Sequence, residues 1–431
     1  MQATGGSGLS QSRTPPSRGA MSKNGTVKKQ NKVRPTDAHP ATLAQTGQMP
    51  YHRTNAPEGQ MAQHNLYWED VEEGQLLPSF TYELSLLRLV AFVRASGLYD
   101  YVHFDGAYAR QAGARDAFIS TPHVAGLFGR LLTDWSGPAA ELRSLTFSMR
   151  TQSCTNDILT VTGRVGRRYR GDDGAYLVDL VDLNIGHAIA AQSATATATM
   201  ALPSRAGAPA LPLAPPAFLD TLPAADDVPA FARPFLGQSR PGGALPARPL
   251  TRDEIHLWCE ALEDWNPLYW DESYAAASRF GGIIAPPTSM FFGAGSAAGL
   301  GIGYGKPGGM VPDAVRQGLT GLPLLQSLRQ SLIQGSTLID PPDCPEIAVV
   351  QAVCRFFIPL RPGDTARGEL RLKHCTQKKK TRLGEGYFIT TERLFHNQHD
   401  ELLRTQEFTV FHYHVLSQQP QQPTHWQEPK R

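Results

Sequence analysis

His103-Phe104-Asp105-Gly106-Ala107-Tyr108-Ala109 and Tyr269-Trp270-Asp271-Glu272-Ser273-Tyr274-Ala275 are two writings of one pattern, 166 residues apart. Asp105 falls on Asp271, Tyr108 on Tyr274 and Ala109 on Ala275 without a gap, and the same register sets Thr121 over Pro287. Two helix starts of the form D-x-x-Y-A can match by chance. A repeated order of elements around them argues instead for duplication of one fold. Each copy runs from a helical segment through a loop and a short helix into a longer apolar helix, and ends in strands. Around the first copy the period-two signal places strands near 144–150, 157–168, 176–185 and 190–202. Around the second it places them near 346–359, 366–375, 386–396 and 404–415. The class is α+β: two tandem units, each an antiparallel sheet wrapped around a long helix.

The units span 65–202 and 249–415. Between them, residues 203–248 are dominated by Pro, Ala and Gly and read as a linker. Residues 1–64 and 416–431 carry few large apolar side chains and read as disordered tails. Residues 1–36 hold seven Lys/Arg and no acid, without an amphipathic stripe. That suits a solvated tail on a cytoplasmic protein; read as a transit peptide, it would direct the chain to the mitochondrial matrix.

A net charge of +2 over 431 residues gives no footprint for nucleic acid. Five scattered cysteines with no C-x-x-C pair and no zinc-like Cys/His spacing point to a reducing compartment and no structural metal. No apolar run approaches the roughly 20 residues of a membrane span.

Asp105 and Asp271 are placed to cap their short helices. Two residues before the first cap stands His103, with Asp100 three residues further back. A carboxylate so placed could hold one imidazole tautomer, as a general base acting on water requires; an ordinary packed histidine fits the same residues. Val124, Leu127, Phe128, Leu131, Leu132 and Trp135 then recur at helical spacing. Thr121 suits the N-cap and Pro122 the first helical position. Free N–H groups at such a start favour negative charge, which serves a thioester carbonyl turning into an enolate, or simply begins a core helix. His123, in the first turn, can face either way. In the second unit Tyr269 replaces His103, Asn266 replaces Asp100, and Pro286-Pro287 replaces Ser120-Thr121. Proline has no N–H, and a phenol with a pKa near 10 is a poor base, so the second unit reads as disabled for this chemistry.

Asp264-Trp265-Asn266-Pro267-Leu268-Tyr269-Trp270-Asp271, followed by Phe280-Gly281-Gly282-Ile283-Ile284-Ala285-Pro286-Pro287-Thr288, resembles the hydratase 2 motif of MaoC-like proteins, D-x-N-P-x-H-x-D and then F-G-G-x-I-A-H-G. Its A-P-P-T ending resembles the non-catalytic partner units of acyl dehydratases. Arg355 to Asp364 resembles the family's R-F-x-x-P-x-x-P-G-D strand entry. In the first unit Trp68 to Gly74 resembles the family's opening, His103-Phe104-Asp105 matches H-x-D, and Gly129 to Trp135 resembles the central helix of acyl dehydratase relatives. The resemblance covers about 65–415 and implies two hotdog domains, a coenzyme A or acyl-carrier thioester, a His/Asp dyad acting on water, and a backbone N–H holding the carbonyl. His103 matches the family histidine. The family aspartate falls on Leu98, with Asp100 where the family has Asn. The oxyanion N–H falls on Thr121, and Ser120 stands where the family has the His of its H-G pair.

The expected activity is hydration of trans-2-enoyl thioesters, or the reverse dehydration of 3-hydroxyacyl thioesters, at one site on the first unit. His103, Asp100 and Thr121 are its catalytic residues; Ser120, His123, Tyr269 and Asn266 contact substrate. No metal, flavin or nicotinamide is required, and a homodimer is compatible. A hotdog thioesterase and a non-catalytic acyl-thioester binding subunit are the alternatives. The stretch 301–345, with apolar helical spacing at Leu322, Leu324, Leu325, Leu328 and Leu332, is expected to cover the mouth of the acyl site or to be an inert insertion.

Overall fold

The structure is a computed structural model, and it describes residues 65–207 except 112, then 227–241, 249–289, 338–339, 341–344 and 346–414. Both tails and nearly all of 301–345 lie outside the described residues, as does the segment after Ser289 where the second apolar helix is expected.

Among the described residues, eleven strands form a single sheet: β1 (Phe80–Glu83), β2 (Glu141–Met149), β3 (Ile158–Arg170), β4 (Tyr176–His187), β5 (Ala190–Ala201), β6 (Ser239–Pro241), β7 (Glu346–Phe356), β8 (Ala366–Cys375), β9 (Lys379–Lys380), β10 (Glu385–Asn397) and β11 (Leu402–His414). The order is β1-β3-β4-β5-β2-β7-β11-β10-β8-β6, with the short β9 beside β10. Read outward from the β2–β7 junction, the two halves follow the same plan. β5, β4, β3 and β1 on one side answer β11, β10, β8 and β6 on the other. The junction is antiparallel, Phe147 opposite Ala352, so the duplicated sheets join edge to edge and neither leaves its β2 or β7 edge unpaired.

The helices are α1 (Leu86–Ser96), α2 (Gly106–Gln111), α3 (Thr121–Ser136), α4 (Arg252–Leu262), α5 (Pro267–Trp270) and α6 (Glu272–Ala277). α3 is buried on every side except at Thr121, Thr133 and Asp134, as a helix wrapped by a sheet must be. Leu127, Phe128, Leu131 and Leu132 meet Leu145, Val161, Leu180 and Leu183 of the strands in one core. The predicted strands of both units are present, with ends moved by a few residues. The 203–248 stretch is more than a linker. Val228 and Ala232 are buried with Leu370, Leu372 and Ile389, and β6 pairs with β8 just as β1 pairs with β3. Proline-rich composition hid this strand because an edge strand tolerates proline.

The duplication persists to single hydrogen bonds. α1 and α4 begin at capping hydroxyls, Ser85 and Thr251, and end at left-handed residues, Gly97 (φ 72°) and Glu263 (φ 58°). Asp105 accepts from Tyr108 N–H at 3.0 Å and Asp271 from Tyr274 N–H at 2.9 Å, which are the caps expected from sequence. The units also lock across their boundary. Arg130 on α3 donates to the Leu262 carbonyl at the C-terminus of α4 (3.0 Å) and pairs with Glu263 (3.2 Å), where a cation is favoured. Tyr82 donates to the Ala261 carbonyl at 2.7 Å.

Candidate active site

Asp100 begins a 3-10 turn over Tyr101–His103 and its carboxylate accepts from Val102 N–H at 3.3 Å. Asn266, its counterpart, accepts from Leu268 N–H at 3.0 Å in the same way. Asp100 therefore does the structural work that Asn266 does in the second unit. The orienting bond on His103 comes from elsewhere: Nδ1 lies 2.8 Å from the Phe118 carbonyl. A carbonyl only accepts, so Nδ1 carries the proton and the lone pair sits on Nε2. The expectation that Asp100 orients this nitrogen is corrected; the main chain does it. Sequence reasoning missed Phe118 because a backbone carbonyl has no side-chain signature.

The strap that carries Phe118 leads directly into α3 and is held from both sides. Phe118 N–H donates to the Val102 carbonyl (3.2 Å), Ile119 N–H to Ser153 (3.1 Å), and Thr155 N–H to Ala117 (2.8 Å). Asp157 pins the far side, accepting from Cys154 N–H at 2.7 Å and pairing with Arg115 at 2.5 Å. His103, 8% exposed, is thereby held against the strap three residues before α3 begins.

That N-terminus starts one residue earlier than expected. Ser120 is the N-cap, buried, with no side-chain capping bond, and Thr121 is the first helical residue. The first intrahelical bond runs from Val124 N–H to Ser120 (3.1 Å), which leaves Thr121 N–H outside the ladder, followed by a proline with no N–H. His123 turns away from this mouth. Its ring stacks on Phe92 with centroids 4.0 Å apart, and Nε2–H donates to Tyr82 Oη at 3.2 Å, whose own proton is committed to Ala261. Complete burial, then the nearby His103 and Arg88, push its pKa down to about 3. His123 is thus a neutral core residue, and its expected role as a substrate contact is corrected.

Asn266 and Tyr269 are not brought to His103. They line an open cavity against the C-terminal half of α3. Thr133 of that wall lies about 18 Å along the helix axis from Thr121, at 1.5 Å per residue. Between the two ends α3 lies flush on the second unit, since a Cβ added at Gly126 would meet Leu262, and one at Gly129 would meet Thr288. The cavity holds a buried carboxyl the first unit lacks. Asp264, whose counterpart in the first unit is Leu98, is 2% exposed and accepts from Asn266 N–H at 3.3 Å. Burial and the neighbouring Asp134 push its pKa to about 7, against the opposing pull of that hydrogen bond and Arg130. Tyr269, hydrogen-bonded to Thr133 and Asn266, is held far above the usual phenol range by burial and Asp264.

Among the described residues no cluster of His, Cys, Asp or Glu suits a metal ion, and no helix is long and apolar enough to cross a membrane.

Comparison with known proteins fits this geometry. Residues 246–312 match the family model described as FAS1-like, dehydratase domain region. The structure superposes on a putative MaoC domain protein dehydratase from Chloroflexus aurantiacus with a TM-score of 0.54 at 12% identity, covering 81% of this chain and 98% of that one. A conserved hypothetical protein of Mycobacterium tuberculosis, described as having a double hotdog fold, gives 0.50 at 14% identity over 81% and 99%. The chain has the double hotdog fold. Among curated relatives, a probable enoyl-CoA hydratase alpha subunit of Thermomonospora curvata is 29% identical over 178 residues, 41% of this chain and 48% of that protein. The 3-oxo-4,17-pregnadiene-20-carboxyl-CoA hydratase alpha subunit of M. tuberculosis is 30% identical over 155 residues, 36% and 41%. The double hotdog chain thus spans about half the length of the curated relatives it matches.

Proposed function

We propose that the chain hydrates trans-2-enoyl thioesters, linked to coenzyme A or an acyl carrier, or dehydrates the 3-hydroxyacyl thioesters, at one site on a first hotdog spanning 65–202. The second hotdog, 249–415, supports it across α3 and α4. The observation that carries this reading is the His103 Nδ1–H···O=C bond to Phe118, which supports an Nε2 lone pair beside a helix start. In the forward direction Nε2 takes a proton from water as its oxygen bonds to Cβ. The Cα=Cβ electrons move onto the thioester carbonyl, whose developing negative charge is met by Thr121 N–H and the α3 dipole. The enolate collapses as His103 returns the proton to Cα. Ser120, at the helix mouth, contacts the thioester. Each step conserves atoms and needs no redox partner.

A second reading is favoured by the relatives being named alpha subunits: a thioester-binding subunit active only with another polypeptide. Incubating the pure chain with crotonyl-CoA separates the readings. Hydration removes enoyl absorbance without releasing thiol. Thioester hydrolysis releases thiol. A binding subunit does neither alone.

A further inference from the structure

The cavity of the second unit is built, although the histidine of its motif is absent. Most of its lining is apolar, with Leu142 and Met200 from the first unit and Ile284 and Phe356 from the second, and Glu141 and Arg404 are its charged members besides Asp264. One wall is polar and neutral below about pH 7: the Asp264 carboxyl, the Asn266 amide and the Tyr269 phenol, two of them under a twentieth exposed. A few polar groups converging in an otherwise apolar cavity are what an apolar ligand with a single oxygen would require. Asp264 keeps a carboxyl in the lining of this cavity, whereas in the first unit the same position is Leu98.

We propose that this cavity is a second ligand site, taking an apolar chain that carries a keto or hydroxyl oxygen, with the oxygen held by Asp264, Asn266 and Tyr269. The apolar body fills the space against Met200 and Phe356. The α3–α4 contact at Gly126 and Leu262 separates the site from His103, so it binds independently of the proposed turnover. The oxygen-bearing chain can arrive as a free molecule or as the far end of a long thioester-borne acyl group. The groups that face Asp264 are Asp134 and Arg130 from α3, Cys259 from α4 and Tyr269 from α5. Its titration governs the site, because a ketone accepts from the carboxylic acid and not from the carboxylate.

Titration calorimetry of the full chain with 2-decanone tests this. One saturable site per chain is expected, weakened about tenfold by Tyr269→Phe or Asp264→Leu and blocked by Met200→Trp. Tyr269→Phe keeps the ring and tests the claim even if Asp264→Leu fails to fold. Binding should weaken between pH 6 and pH 8 in the wild type, and that pH dependence should vanish in Asp264→Leu. His103→Gln should bind 2-decanone as the wild type does, whatever its effect on turnover. Excess crotonyl-CoA should leave binding intact; displacement by a long enoyl-CoA bearing a distal ketone, and not by its unsubstituted analogue, assigns the oxygen to the substrate's own chain. No saturable binding, equal binding in Tyr269→Phe and Asp264→Leu, or loss of binding in His103→Gln would each overturn the proposal.

Discussion

The two units share their caps, their turns and the bond between the strap and the 3-10 turn, Phe118 N–H to Val102 in one and Ile284 N–H to Leu268 in the other. They differ at the groups that could do chemistry. The first has an imidazole fixed by a carbonyl and a helix whose first N–H lies outside the helical ladder. The second has a phenol and a carboxyl sharing a cavity, and two prolines where the N–H would be. Duplication preserved the scaffold to the level of single hydrogen bonds while the reactive positions drifted apart. The framework residues are tied by backbone geometry, whereas a side chain facing open space can change without disturbing the fold.

The sharpest way to break this contrast is to give the first unit the second unit's proline. In Thr121→Pro the preceding Ser120 is already extended (φ −84°, ψ 164°), and the lost N–H has no helical partner, so folding should be unaffected. Turnover of crotonyl-CoA should fall by roughly 100- to 1000-fold if that N–H holds the enolate. A variant that melts and turns over like the wild type would remove the helix start from the mechanism.

The opposite unit is probed through pH. Asp264 has a folded-state pKa of about 7, above its value of 3.8 when unfolded, so the folded state favours the proton. Its contribution is present below the unfolded value and is lost as pH rises through the folded one. Thermal melting should therefore fall between pH 4 and pH 7, by several degrees on the order expected for a few kcal/mol, and Asp264→Asn should flatten that slope. An unchanged slope in the variant would place the titrating group elsewhere.

Smaller effects are expected at the two residues reassigned by the structure. His123→Phe should cost about 1 kcal/mol of stability through the lost bond to Tyr82, read from denaturant melts. A large fall in turnover without that cost would return His123 to the substrate. Asp100→Asn should be nearly silent, since an amide oxygen caps the turn equally well, as Asn266 does. A tenfold loss of turnover would reinstate the carboxylate–imidazole dyad.

Much of the molecule was legible beforehand. The 166-residue register and the strand alternation led to the duplicated plan, and the D-x-x-Y-A starts led to both caps. Three features were not legible, each for a physical reason. The His103 partner is a main-chain atom, which no residue type announces. His123 sits where helical periodicity allows either face, and only its stacking on Phe92 decides between them. The separation of Tyr269 from His103 follows from α3 passing between the two ends, a three-dimensional fact that a linear alignment of the two motifs conceals.

The central claim is that chemistry resides in the first unit, on His103. The most direct measurement is the rate at which the purified chain consumes the enoyl absorbance of crotonyl-CoA, wild type against His103→Gln, with melting curves in parallel. The account predicts a fall of roughly 100-fold or more with melting unchanged. A His103→Gln protein that folds and hydrates at the wild-type rate would contradict it.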